Sequence, residues 1–257
     1  MYYGKRPGEK EMSEKKVLRF WEIDFLRGIA VIMMIAFHFL FDLNYFGVYQ
    51  TQIGSGFWWV FARATATIFI FLVGVSLALS YSRVRNLPSR RISAKYILRG
   101  LRIFIYGLLI TLATWIFLEN GTVFFGVLHF IGMAIILSRP FMDRKILNLT
   151  LGIAIICAGI YIQSLSISFP WLLWLGFKPV SFYTLDYFPL LPWLGVVLIG
   201  IFFGKVIYPE GKRLGKSSPA PARSSLIAPF CFLGKNSMVI YLLHQPVLIA
   251  VIYLAMI

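Results

Sequence analysis

Acidic residues are scarce in this chain: ten Asp and Glu stand against 25 Lys and Arg, and all charged residues together make up 14% of 257. A soluble domain needs amphipathic stripes and polar loops to present to water. Here most apolar runs are apolar on all sides and end abruptly in basic clusters, which excludes a soluble single-core fold. Cysteine is nearly absent. Cys157 and Cys231 have no metal-ligand spacing and fall at different depths, so neither a disulfide framework nor a thiolate metal site is expected and both read as packing residues. No internal repeat of the kind that marks many transporters is visible. A cleavable signal peptide is not expected either. The first 19 residues are polar and charged, and the apolar run after them is too long and lacks a small-residue cleavage site, so it should act as an uncleaved anchor.

What the chain has in abundance is apolar length: 59% of its residues are hydrophobic and 17% aromatic. A bilayer core of about 30 Å needs about 20 helical residues per crossing. The runs predict an all-α, polytopic integral membrane protein with about seven transmembrane helices, near 22–43, 57–79, 97–118, 123–138, 146–163, 187–207 and 236–256. The fourth is short enough to be tilted or partly re-entrant.

The formal net charge of +15 does not indicate a nucleic-acid partner, because the charges alternate with the spans. The N-terminal tail carries six Lys and Arg, residues 80–102 seven, residues 139–145 three and residues 205–235 six, so that 22 of the 25 fall on one side. Arg27 and Arg63 lie inside spans, and Lys178 alone sits in an opposite-side loop. The positive-inside rule makes the N-terminus cytoplasmic and the C-terminus external. The expected location is the plasma (cytoplasmic) membrane, crossed several times.

Residues 1–20 form a mixed-charge cytoplasmic tail that lies on, or moves near, the anionic membrane surface, and residues 21–257 form one transmembrane domain. Within it, the Pro- and Ser-rich stretch 211–225 is a flexible cytoplasmic linker before the last helix. The external segment 164–186 is rich in Trp, Tyr, Phe and Pro. It reads as an aromatic belt at the outer interface, or as a cap that stacks on a sugar ring.

Ionisable groups are costly at hydrocarbon depth and mark functional pathways. The first span carries four on one face: Asp24, Arg27, His38 and Asp42. Arg27 and His38 are eleven residues apart, close to three turns and about 16 Å of rise. Asp24 stands one turn before Arg27, and Asp42 one turn after His38. A carboxylate at i+4 can fix the tautomer of His38 and stabilise its imidazolium, as a general base requires; alternatively the two simply satisfy each other near the interface. Arg27 reads either as a snorkelling anchor or as a bidentate phosphate ligand. Arg63, His129, His244 and Gln245 add polar groups from three other spans, and a shared cavity accommodates them better than isolated pairs. Lys235 and Asn236 stand at the cytoplasmic start of the last span, where a helix N-terminus and a lysine can receive an anion; a plain N-cap beside a lysine is the other reading.

The stretches RFWEIDFLRGIAVIMMIAFHFLFDLNYF, GVLHFIGMA and LGKNSMVIYLLHQPVLI resemble the family that includes the catalytic domain of heparan-alpha-glucosaminide N-acetyltransferase. More widely, the chain resembles membrane acyltransferases of the acyltransferase-3 type, whose first helix carries an Arg and a His at about the spacing of Arg27 and His38. By matching position, Asp24, Arg27 and Gly28 correspond to the family's D-x-x-R-G pattern, and His38 to the acyltransferase histidine. The resemblance implies transfer of an acetyl or similar acyl group from cytoplasmic acyl-CoA to a sugar or glycan hydroxyl or amine on the outer side, without a metal. Together with the polar residues above, the resemblance places His38 and Asp42 in catalysis, and Asp24, Arg27, Arg63, Lys235 and Asn236 at the donor. His129, His244 and Gln245 would line the substrate cavity. It also implies a histidine after the first family helix, and residues 44–56 contain none; either His38 takes that role from within the span or the mechanism differs. Partners are then membrane lipids, acyl-CoA and the acceptor, with a homo-oligomer compatible. A proton-coupled small-molecule transporter is the alternative, since His and Asp at depth also relay protons.

Overall fold

Six helices of the computed structural model are long and apolar enough to cross a membrane. The structure describes residues 19–118, 121–165, 170–179, 182–214 and 226–256. Most of the N-terminal tail and residues 215–225 of the linker lie outside them. The long helices are α1 (Trp21–Tyr45), α2 (Gly56–Ser82), α3 (Ser89–Phe117), α5 (Lys145–Gln163), α6 (Leu190–Ile207) and α8 (Ser237–Met256). Two shorter ones are α4 (Val127–Leu137) and α7 (Ala228–Lys235). The described residues contain no β-strand, only an isolated bridge between Phe125 and Tyr187.

Glycine sets the helix contacts. Lipid tails are as apolar as leucine, so association in a bilayer depends on close backbone approach. α2 meets α6 at Gly74 and Gly200, α5 meets α6 at Gly152 and Gly195, and α3 meets α4 at Gly100 and Gly132. α1 meets α7 in the same way, because a Cβ on Gly28 would enter the Phe230 carbonyl and one on Gly234 the Asp24 carbonyl. The main core lies among α2, α3, α4 and α6, around Ile70, Tyr96, Phe130 and Val197. α3 and α8 turn long apolar faces outward, with Leu98, Trp115, Leu243 and Leu254 exposed as lipid-facing side chains.

The fourth expected span, over 123–138, is not among the six long helices. α4 has only 11 residues, about 16 Å of rise, and residues 121–126 reach it in non-helical form. Non-helical backbone at this depth needs internal partners. Thr111 Oγ1 donates to Val123 O, and Val123 N donates to Thr114 Oγ1. Thr184 Oγ1 donates to Thr122 O and accepts from Phe124 N, while Phe188 N donates to Phe125 O. The first amide of α4, Val127 N, donates to Asp186 Oδ2 at 2.9 Å.

One further boundary moves. α3 begins at Ser89 rather than near 97, so Arg90, Arg91, Lys95, Arg99 and Arg102 lie on a helix and not in a loop. Arg and Lys are good helix formers, and Pro88 supplies the non-helical residue before the first turn. The last span keeps its expected bounds, α8 running from Ser237 to Met256 just after the short helix α7.

Candidate active site

α1 and the α7–α8 pair run side by side in the same direction, which brings polar residues of both to matching depths. Cys231 Sγ meets Trp21 O near the basic end, Gly234 meets Asp24 and Gly28, and His244 and Gln245 meet His38 and Asp42 deeper in. The imidazoles of His38 and His244 pack edge to face, with centroids 4.8 Å apart. His38 Nδ1 lies 2.9 Å from Met34 O, and His244 Nδ1 lies 2.7 Å from Tyr241 O. A carbonyl only accepts, so each Nδ1 carries its proton, and in the neutral ring each Nε2 keeps a lone pair.

The expected His38–Asp42 dyad is therefore absent. The carbonyl one turn back is nearer to His38 than the carboxylate one turn ahead, and Asp42 Oδ1 instead accepts from Gln245 Nε2 at 2.5 Å. Asp42 Oδ2, Gln245 Oε1 and His244 Nε2 are buried and take no hydrogen bond from a described residue. All three are acceptors. The arrangement suits a substrate group that brings its own N–H or O–H bonds.

Arg27 is drawn inward rather than toward headgroups. Its Nη1 donates to Asp24 Oδ1 at 3.2 Å and to Gly234 O at 3.5 Å, and its Nη2 to Ser76 Oγ at 2.8 Å. It thus ties α1 to α2 and α7. Beside it opens a cavity of about 500 Å³ lined by Arg19, Arg27, Arg83 and Arg99, with Ser76, Ser80 and Asp24. Four guanidiniums and one carboxylate, itself paired with Arg27, make this an anion-selective space.

Lys235 and Asn236 follow Gly234, whose carbonyl accepts from Arg27 beside this cavity. Asn236 N donates to Phe232 O and Leu233 O and closes α7, while Ile240 N donates to Asn236 O and opens α8. The amides of Ser237, Met238 and Val239 have no backbone acceptor among the described residues, as expected of a first helical turn. Arg63 lies apart, near the other end of α2: Ser76 is 13 residues further on, about 20 Å along the helix. It stacks on Trp59 and Trp193, at 5.2 and 5.9 Å from the ring centroids.

His129 occupies a neighbouring polar knot rather than the His38 chamber. Thr111 gives its single proton to Val123 O, so His129 Nε2, 3.4 Å from Thr111 Oγ1, is the donor there. The ring is wedged against Gly107 and between Phe104 and Phe125. A small pocket joins His129, Asp186 and Tyr241, and Tyr241 packs on His244 at 5.5 Å. Asp186 and Tyr241 belong to this part of the molecule and were not among the expected site residues. One signal for Asp186 is a single acid in the otherwise apolar FYTLDYFP, just ahead of a span.

No curated protein and no solved structure matches the chain. The family model described as heparan-alpha-glucosaminide N-acetyltransferase, catalytic, matches residues 19–246. That range holds α1 with Asp24, Arg27 and His38, the basic cavity, and α8 as far as Gln245. On that match the chain belongs to the heparan-alpha-glucosaminide N-acetyltransferase catalytic family.

Proposed function

We propose that the protein is a transmembrane acyltransferase that moves an acetyl or similar acyl group from acyl-CoA at the cytoplasmic face to a hydroxyl or amine of a sugar or glycan on the outer side. The observation that carries this reading is the facing pair His38 and His244, each with its Nδ1 proton held by a carbonyl and its Nε2 lone pair left for chemistry. Such a ring is preset to take a proton from an attacking hydroxyl or amine. Asp42 Oδ2 and Gln245 Oε1 add acceptors that orient the same donor-rich group.

The positive-inside rule places the arginine-lined cavity at the cytoplasmic face. Acyl-CoA would supply the activated thioester there, and Arg19, Arg27, Arg83 and Arg99 have the charge to hold its phosphates. His38 stands about 16 Å further along α1, so the site calls for a donor whose reactive carbon rides on a long arm.

The test incubates the purified protein with radiolabelled acetyl-CoA and a panel of amino and neutral sugars. Wild type should label an acceptor, and His38→Ala should lose about 10²- to 10⁴-fold in rate, the usual contribution of a general base. Transfer unchanged in His38→Ala would remove His38 from the mechanism. CoA should also raise the thermal midpoint of the protein; a transporter of small solutes should show neither transfer nor that shift.

A further inference from the structure

Arg63 is left over when the donor cavity and the histidine chamber have been accounted for. It lies seven residues into α2, about 10 Å from the uncharged end of the helix. Side chains on a helix lean toward its N-terminus. Arg63 does so, since its guanidinium rests over Trp59, one turn back. That lean brings the charge about 5 Å nearer the surface, to the level where headgroup phosphates begin.

Around the guanidinium the described residues supply rings and no counter-charge. Trp59 flanks it from α2 and Trp193 from α6. None of the three ion pairs among the described residues involves Arg63. Trp193 is buried, 5% exposed, and its Nε1–H finds no acceptor among the described residues. A guanidinium flanked by two indoles and paired with no acid among the described residues is a set of donors, and an acceptor-only group satisfies it. Phosphate is such a group.

We propose that Arg63, Trp59 and Trp193 form a binding site for the phosphate of a lipid headgroup in the outer leaflet, separate from the cytoplasmic donor cavity and independent of the acyltransfer reading. A free phosphate would meet a surface of exposed rings at this end of α2, Phe57 and Trp59. A lipid arrives already at that depth, with its acyl chains along α2 and α6. Lysine is a poor substitute there, because an ammonium lacks the planar fork with which a guanidinium holds two phosphate oxygens at once.

The full-length protein, purified in a neutral detergent, is titrated with phosphatidic acid or with diacylglycerol of the same chains, and bound lipid is counted by native mass spectrometry. Wild type should retain phosphatidic acid above the level held by Arg63→Gln, with affinity at least about tenfold higher, as loss of one charge-assisted pair implies. Arg63→Lys should recover only part of that difference. Trp59→Ala alters an exposed ring, so it checks the site independently if a change at Arg63 harms folding. Equal retention by wild type and Arg63→Gln, or equal retention of diacylglycerol, overturns the site. Displacement of the lipid by inorganic phosphate at matched concentration overturns its assignment to a lipid.

Discussion

His38 and His244 come from helices more than 200 residues apart in sequence, yet each is prepared in the same way, by a carbonyl of its own helix. The preparation needs no acid. Asp42 is thereby released to accept from Gln245, a hydrogen bond between the side chains of α1 and α8. Gln245→Leu should leave the Asp42 carboxylate buried without that donor, at a cost of about 1–3 kcal/mol. Chemical denaturation in detergent should show it, and Asp42→Asn should restore part of the loss when combined with Gln245→Leu. At this scale the sequence revealed the residue types but not their partners. The i+4 spacing of His38 and Asp42 is a real pattern on one helix, and it says nothing of a glutamine on another that reaches the carboxylate first. Asp186 and Tyr241 went unread for the same reason, because their neighbours come from distant segments.

Helix existence was legible where apolar runs were long and uninterrupted, as in α1, α2, α5 and α6. Residues 123–126 misled because Val, Phe and Phe suit a buried helix as well as an extended segment. What decides the form is the set of side-chain partners from α3 and from the stretch before α6. Asp186→Ala should therefore expose an unmet amide at the buried start of α4 and lower stability by about 1–3 kcal/mol, whereas Asp186→Asn keeps an acceptor for Val127 N and should cost less. Thermal unfolding of the two variants makes the comparison. The α1–α7 crossing allows a sharper case. Gly234→Ala would drive a methyl into the backbone of Asp24, which belongs to a helix and cannot step aside. It should destabilise by more than the 1–3 kcal/mol typical of overpacking among side chains, while the same change at Gly54, where no atom lies within 4 Å, should have little effect.

Across the whole molecule, charge and chemistry are divided by depth: arginines at the basic end, imidazoles beyond them, and an outer half whose described cations are Arg63 and Lys178. Binding of CoA should accordingly weaken as salt rises, because the cavity is partly open and phosphate attraction is screened over about 10 Å at 0.1 M. Isothermal titration at several ionic strengths would show it, and an affinity independent of salt would count against the arginine cavity as the donor site. The division also has a mechanical side. α7 and α8 are fastened to α1 at Gly28 and Gly234, with Arg27 reaching across to the Gly234 carbonyl, while most of α8 beyond Gln245 is exposed. The helices that carry the two imidazoles are thus joined at both levels, through Arg27 and the glycines at the cavity and through Asp42 and Gln245 beside the rings. The arginine that faces the cavity is therefore also part of the seam that sets His38 against His244.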